Sequence, residues 1–254
     1  MRTKLAFALA AAMGLGGAQV AMAADMPVKA RPMVPPPVVY SWTGCYIGAN
    51  GGGNWGTSRS IERSGISGFE GTPISNDVRL SGGLIGGTLG CNYQTDPRWV
   101  IGVELDADWT NKKGSEPLLS PPRGAGYINE VKEDSIGTAR LRLGYLVTNP
   151  WMLYVTGGGA WARVKQTEYF AANPSLTGAT NSTSATIWGW TVGVGTEYMF
   201  APNWSVKGEF LYVDLGTHSF LNPGFALANS APVDTRLHDY IARIGVNYKF
   251  WSGH

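Results

Sequence analysis

Beyond its N-terminal stretch the sequence contains no long apolar run. A membrane helix needs roughly 18 or more such residues, so none is available to span a bilayer. There are only two cysteines and three histidines, which leaves no cysteine–histidine set at metal-ligand spacing. Neither sign of charge dominates. Arg2 and Lys4 lie in a segment expected to be removed, so the 20 basic residues fall to 18, against 18 acidic ones. A chain without a basic excess carries no electrostatic footprint for nucleic acid. Charged residues are scarce altogether, at 15%.

Glycine and large aromatics are plentiful: 35 Gly, ten Trp and eleven Tyr. Glycine at about twice its usual ~7% can mean disorder, but not beside so many aromatics and so few charges. The first residues read as a secretory signal, 1–23: Arg2 and Lys4, an apolar run from Leu5 to Ala18, then Ala21-Met22-Ala23 as a cleavage pattern. Residues 24–41 carry Pro27, Pro32, Pro35, Pro36 and Pro37 and read as an extended periplasmic linker. The remaining domain is 42–251.

The stretch that organises this domain is WMLYVTGGGAW, Trp151 to Trp161. An even spacing puts both tryptophans on one face of a strand. Ten steps of ~3.3 Å at a tilt of ~40° cover ~25 Å, the height of the apolar band on a membrane barrel. Trp99 and Trp109 repeat the spacing. Alternation marks eight strands, at about 43–55, 80–93, 98–110, 135–147, 151–161, 186–200, 203–215 and 236–250. Short proline-containing turns at 94–97, 148–150 and 201–202 alternate with long connections at 56–79, 111–134, 166–185 and 216–235. Short periplasmic turns and long outer loops are the transmembrane-barrel pattern. The expected fold is all-β: an eight-stranded antiparallel up-and-down transmembrane barrel.

The tryptophans sort into two belts. Trp42, Trp99, Trp151, Trp204 and Trp251 fall at the short-turn end. Trp55, Trp109, Trp161, Trp188 and Trp190 fall at the long-loop end. Two interfacial girdles need this arrangement, and Tyr212, Tyr248 and Phe250 join them. The opposite faces carry Glu104, Asp106, Arg140, Arg142, Glu197, Lys207, Glu209, Asp239, Arg243 and Lys249. With the apolar face outward these charges line a lumen just wide enough for side chains to fill. Buried charges must be paired, so they are expected to form a salt-bridged plug. The alternative is a narrow ion path.

Cys45 and Cys91 fall near the start of strand one and the end of strand two, where an antiparallel hairpin sets them opposite each other. In an exported chain a disulfide is expected; two free buried thiols are the alternative. His218 and His238 read as solvated residues near the outer loops, because no nucleophile is tied to them by spacing. The glycine runs lack the strand-to-helix context of a phosphate loop.

Several motifs carry a family resemblance: Trp42-Thr43-Gly44-x-Tyr46-Ile47-Gly48, Arg142-Leu143-Gly144-Tyr145, Leu153-Tyr154-Val155-Thr156-Gly157-Gly158, Glu209 to Gly216, and Gly245 to Phe250. Together they resemble the porin-like outer-membrane immunogenic protein family of alphaproteobacteria, over nearly the whole mature chain. The resemblance implies an OmpA-type eight-stranded barrel with surface-exposed loops and no catalytic residues. Family members usually end on an aromatic that the insertion machinery reads; here Phe250 is followed by Trp251-Ser252-Gly253-His254.

These features point to a non-enzymatic outer-membrane barrel without cofactor or metal, serving envelope structure and surface display. Expected partners are outer-membrane lipid, lipopolysaccharide and the barrel-assembly machinery. A small-conductance porin is the second reading, and a soluble ligand-binding barrel the third.

Overall fold

The computed structural model describes residues 40–62, 73, 76–117, 127–170, 181–221 and 232–251. The 1–23 signal, the 24–41 linker apart from residues 40 and 41, and His254 lie outside the described residues. Among the described residues nine strands form: β1 (Gly44–Glu62), β2 (Val78–Gln94), β3 (Trp99–Thr110), β4 (Lys113–Pro117), β5 (Tyr127–Thr148), β6 (Trp151–Phe170), β7 (Asn181–Ala201), β8 (Trp204–Leu221) and β9 (Pro232–Trp251). All pairings are antiparallel, and β1 also pairs with β9. The sheet therefore closes on itself and leaves no open edge. β3 and β4 both pair with β5, and only Asn111 and Lys112 interrupt them. They are two parts of one stave, so the nine strands make an eight-staved barrel.

The alternation settles which face is inside. Ile85, Leu141 and Ile244 are 68%, 70% and 72% exposed on the outer surface. Arg140 and Glu104, on the opposite face, are 3% and 2% exposed. A soluble barrel would bury the first set and solvate the second, so that reading is set aside.

The strands reach further outward than the apolar alternation marks. β5 begins at Tyr127, β6 continues to Phe170, β7 begins at Asn181 and β9 at Pro232. The connections are correspondingly shorter than the sequence pattern gave. At these outer ends the outward positions hold Lys132, Lys165, Ser184, Thr186 and Arg236, all exposed. The ladder continues there, but the apolar signal does not.

The lumen is stratified. An apolar floor of Val100, Leu146, Met152, Tyr154, Met199 and Trp42 lies at the short-turn end. The charged layer follows. Nearer the outer end, Leu80, Leu84, Ile136, Ile187, Leu215 and Ile241 belong to a second apolar cluster.

Candidate functional site

The charged layer is built by two strands on one side of the lumen and three, β7, β8 and β9, on the other. Glu104, Asp106 and Asp108 come from β3, and Arg140 and Arg142 from β5; Lys207 and Glu209 (β8) and Arg243 (β9) reach them from across. Arg140 binds Glu104 at 2.5 Å, Asp106 at 2.6 Å and Glu209 at 2.7 Å. Arg243 binds Asp106 at 2.8 Å, Asp108 at 2.6 Å and Glu209 at 2.7 Å. Lys207 lies 3.0 Å from Glu104. Arg142 pairs with Glu197 and lies over the Tyr154 ring at 3.7 Å. Glu197 also accepts from Ser205 at 2.5 Å and Asn247 at 2.9 Å.

Two glycines make room for this network. A Cβ on Gly90 would come within 2.4 Å of the Tyr46 ring, and one on Gly195 within 2.3 Å of the Tyr154 ring. Each ring lies flat against bare backbone and aims its hydroxyl at a carboxylate. Tyr46 donates to Glu104 at 2.7 Å, and Tyr154 to Glu209 at 3.3 Å. Polar hydroxyls Thr88 and Thr138 donate to Asp106, each at 2.8 Å. Such desolvated charges hold together only as a complete set; removing one member leaves the others uncompensated.

Asp239 belongs elsewhere. With Glu133 it holds Lys112, at 2.6 and 2.7 Å, in a second ion cluster toward the outer end. All three side chains are fully buried, and Asn54 donates to Glu133 at 2.9 Å. Sequence reasoning missed Lys112 and Glu133, as well as Asp108, Tyr46 and Tyr154 as members of the lumen sets. Asp108 shares the alternation of Glu104 and Asp106 and was legible. Lys112 enters through the break between β3 and β4, where Asn111 Oδ1 takes the Gly83 N–H at 2.8 Å. Lys249 stands at the periplasmic mouth, half-buried, and donates to the Ser41 carbonyl at 2.5 Å rather than joining the charged layer.

One girdle assignment is corrected. Trp42 does not face lipid; it is 1% exposed and lies inside the barrel at its periplasmic end. Its Nε1 donates to the Asn149 carbonyl at 2.9 Å, and Asn149 Oδ1 takes the Tyr40 N–H at 2.7 Å. The chain enters the barrel across the mouth, so this tryptophan finds apolar partners inside. Trp99, Trp109, Trp151, Trp188, Trp190, Trp204, Tyr248 and Phe250 are exposed on the outer face. Trp161 and Tyr212 share that face but are half-buried. Trp161 packs on Trp188, with centroids 5.7 Å apart, and Tyr212 on Trp190 at 5.5 Å.

Cys45 and Cys91 are direct cross-strand partners of β1 and β2 and form a disulfide, with Cα atoms 4.0 Å apart. They share the outward face of Ile47 and Leu89. His238 Nε2 lies 2.8 Å from Thr57 Oγ1, and His218 Nε2 lies 3.4 Å from the Trp188 carbonyl. Outside the membrane-spanning segments, Arg59 grips Asp77 at 2.8 and 3.0 Å. That hydrogen bonding holds the Asp77 carboxyl below the usual carboxylate range.

With this geometry in view, the comparisons with known proteins are specific. Residues 7–250 match the outer membrane protein beta-barrel domain family. The 31 kDa outer-membrane immunogenic protein of Brucella melitensis biotype 1 is 33% identical over 234 residues, spanning 91% of this chain and 93% of that one. The protein of the same name from Brucella suis biovar 1 matches equally. Among solved structures, outer membrane protein OprG from Pseudomonas aeruginosa aligns with a TM-score of 0.51 and 17% identity, over 84% of this chain and 100% of that one. Outer membrane protease OmpT from Escherichia coli aligns with a TM-score of 0.50 and 12% identity, over 85% and 99%. At those identities the two structures speak for the fold alone. Closed antiparallel ring, lipid-facing exterior and sequence kinship agree: this chain belongs to the outer membrane protein beta-barrel domain family, is similar to the porin-like immunogenic proteins within it, and resides in the outer membrane.

Proposed function

We propose that the protein is a non-enzymatic barrel with a closed interior, serving envelope structure and presenting its outer loops at the cell surface. The observation that carries this reading is the pair of guanidiniums, Arg140 and Arg243, each held by three carboxylates drawn from both sides of the lumen. Eight staves enclose only enough space for such side chains, and Trp42 lies inside the barrel below them. The word immunogenic belongs to the Brucella relatives; it supports surface presentation here. The partners in this reading are membrane lipid, lipopolysaccharide and, during insertion, the barrel-assembly machinery, with no role for nucleic acid, cofactor or metal.

The test is conductance. Purified protein with heat-modifiable migration on SDS gels should give no steady current in planar bilayers, and large, stable steps would overturn the closed interior. One observation favours a small cation path as the second reading. The charged layer sets five carboxylates (Glu104, Asp106, Asp108, Glu197, Glu209) against four bases (Arg140, Arg142, Lys207, Arg243). If ions pass there, Glu209→Gln shifts cation-over-anion selectivity; if they do not, it leaves the baseline unchanged.

A further inference from the structure

Lys113, Lys132 and Lys165 stand side by side on β4, β5 and β6. Lys113 is directly opposite Lys132, and Lys132 directly opposite Lys165. All three are exposed on the outer face of the barrel. Directly opposed residues on antiparallel strands hold their Cβ atoms ~5 Å apart, and like charges so placed repel. Two carboxylates offset part of the row: Asp134, with its Oδ1 2.7 Å from Lys132 Nζ, and Glu130, two residues along the same face. Arg163, exposed beside Lys165 on the same strand face, keeps the balance positive.

The depth of the row identifies what it faces. Trp109 and Trp161 mark the outer edge of the apolar band, and Lys113 and Lys165 follow them by four residues along the same staves. Four strand steps at a tilt of ~40° rise ~10 Å, which leaves the hydrocarbon and enters the polar headgroup zone. In the outer leaflet that zone holds the phosphates and sugars of lipopolysaccharide. Ser184, opposite Lys165 and exposed, adds a hydroxyl at the same level.

We propose that the Lys113–Lys132–Lys165 row binds the phosphate groups of lipopolysaccharide and so fixes a glycolipid against the β4–β6 face. Bound phosphate turns the mutual repulsion of three ammoniums into shared attraction. The proposal rests on the outer-membrane placement and not on whether the lumen is closed.

The test uses the full refolded chain in detergent, verified by heat-modifiable migration, and titrates it with purified bisphosphorylated lipopolysaccharide. The same glycolipid stripped of its phosphates and inorganic phosphate alone form the other arms. The triple variant K113Q/K132Q/K165Q should bind the phosphorylated glycolipid on the order of 100-fold more weakly. Wild-type protein should show a comparable loss with the dephosphorylated form, and raised salt should weaken its binding to the phosphorylated one. Without glycolipid the triple variant should unfold at the same temperature as wild type or higher, because glutamine removes the repulsion. Affinity within about threefold of wild type, either for the variant or for the stripped glycolipid, overturns the proposal. Inorganic phosphate that competes at the affinity of the glycolipid overturns the assignment to lipid. If the variant does not refold, the stripped-glycolipid arm decides with wild-type protein alone. Conductance of the same sample tests the lumen separately, so the two readings can fail independently.

Discussion

Lys132 and Arg140 are both basic, both on β5, and an even number of residues apart, so simple alternation would put them on one face. They face opposite ways. Lys132 is exposed outside the barrel; Arg140 is buried at the centre of the lumen. The switch is a bulge between Glu133 and Ser135, where Asp134 has no partner across the ladder to β6. One extra residue turns the strand over. Below the bulge even-numbered residues face in; above it odd-numbered ones do, which sends Glu133 to Lys112 and Lys132 to the outer surface. The same side-chain chemistry then serves two purposes. Inside, a guanidinium is committed to three carboxylates. Outside, an ammonium shares one carboxylate and remains available.

The contrast is open to direct attack. The largest effect is expected from Arg140→Ala, which leaves Glu104, Asp106 and Glu209 short of compensation and should cost about 3–5 kcal/mol. Denaturant unfolding in lipid vesicles measures it, and a cost below about 1 kcal/mol would make the interior network dispensable. Deleting Asp134 is expected to do less, about 1–3 kcal/mol, by pulling Glu133 away from Lys112 as the outer part of β5 turns over. Thiol labelling of a Lys132→Cys protein with and without the deletion reads the turnover. Unchanged labelling would show that the bulge does not set the face. The smallest effect concerns Arg59 and Asp77, which are solvent-exposed. The folded carboxyl titrates below its free value, so its contribution is complete above the free value and disappears as pH falls through the lowered one. NMR of the Asp77 carboxyl should show that displacement, and Arg59→Gln should abolish it without altering gel migration.

The barrel was legible because lipid demands an apolar exterior, and Trp99–Trp109 and Trp151–Trp161 measured its height. The charged layer was legible for the same reason: Arg140, Arg142, Glu209 and Arg243 alternate strictly against apolar neighbours. Legibility ended where alternation did. Beyond the outer girdle the outward positions turn polar while Val131 and Val164 face the lumen, so the apolar-outward alternation ends and the outer parts of β5 through β9 read as loops. Glu133 lies beside the β5 bulge, where parity changes, and Lys112 lies in the break between β3 and β4, past Trp109, the last apolar outward residue of β3. Trp42 was misplaced because a tryptophan ahead of the first strand carries no face at all; its position depends on Asn149 and Gln94, distant in sequence.

That last feature has a bearing on the order of assembly. Trp42 lies ahead of the first strand, yet the floor it completes draws on the end of β2 and the turn after β5, while Lys249, near the end of the last strand, ties down the adjoining Ser41 carbonyl across 208 residues of sequence. Contacts of such separation are made late, because chain closure must precede them. The bond from Lys249 to Ser41 can form only once β9 has zipped to β1. It joins the residue ahead of Trp42 to the last strand, and so marks the closed ring at the earliest part of the barrel domain.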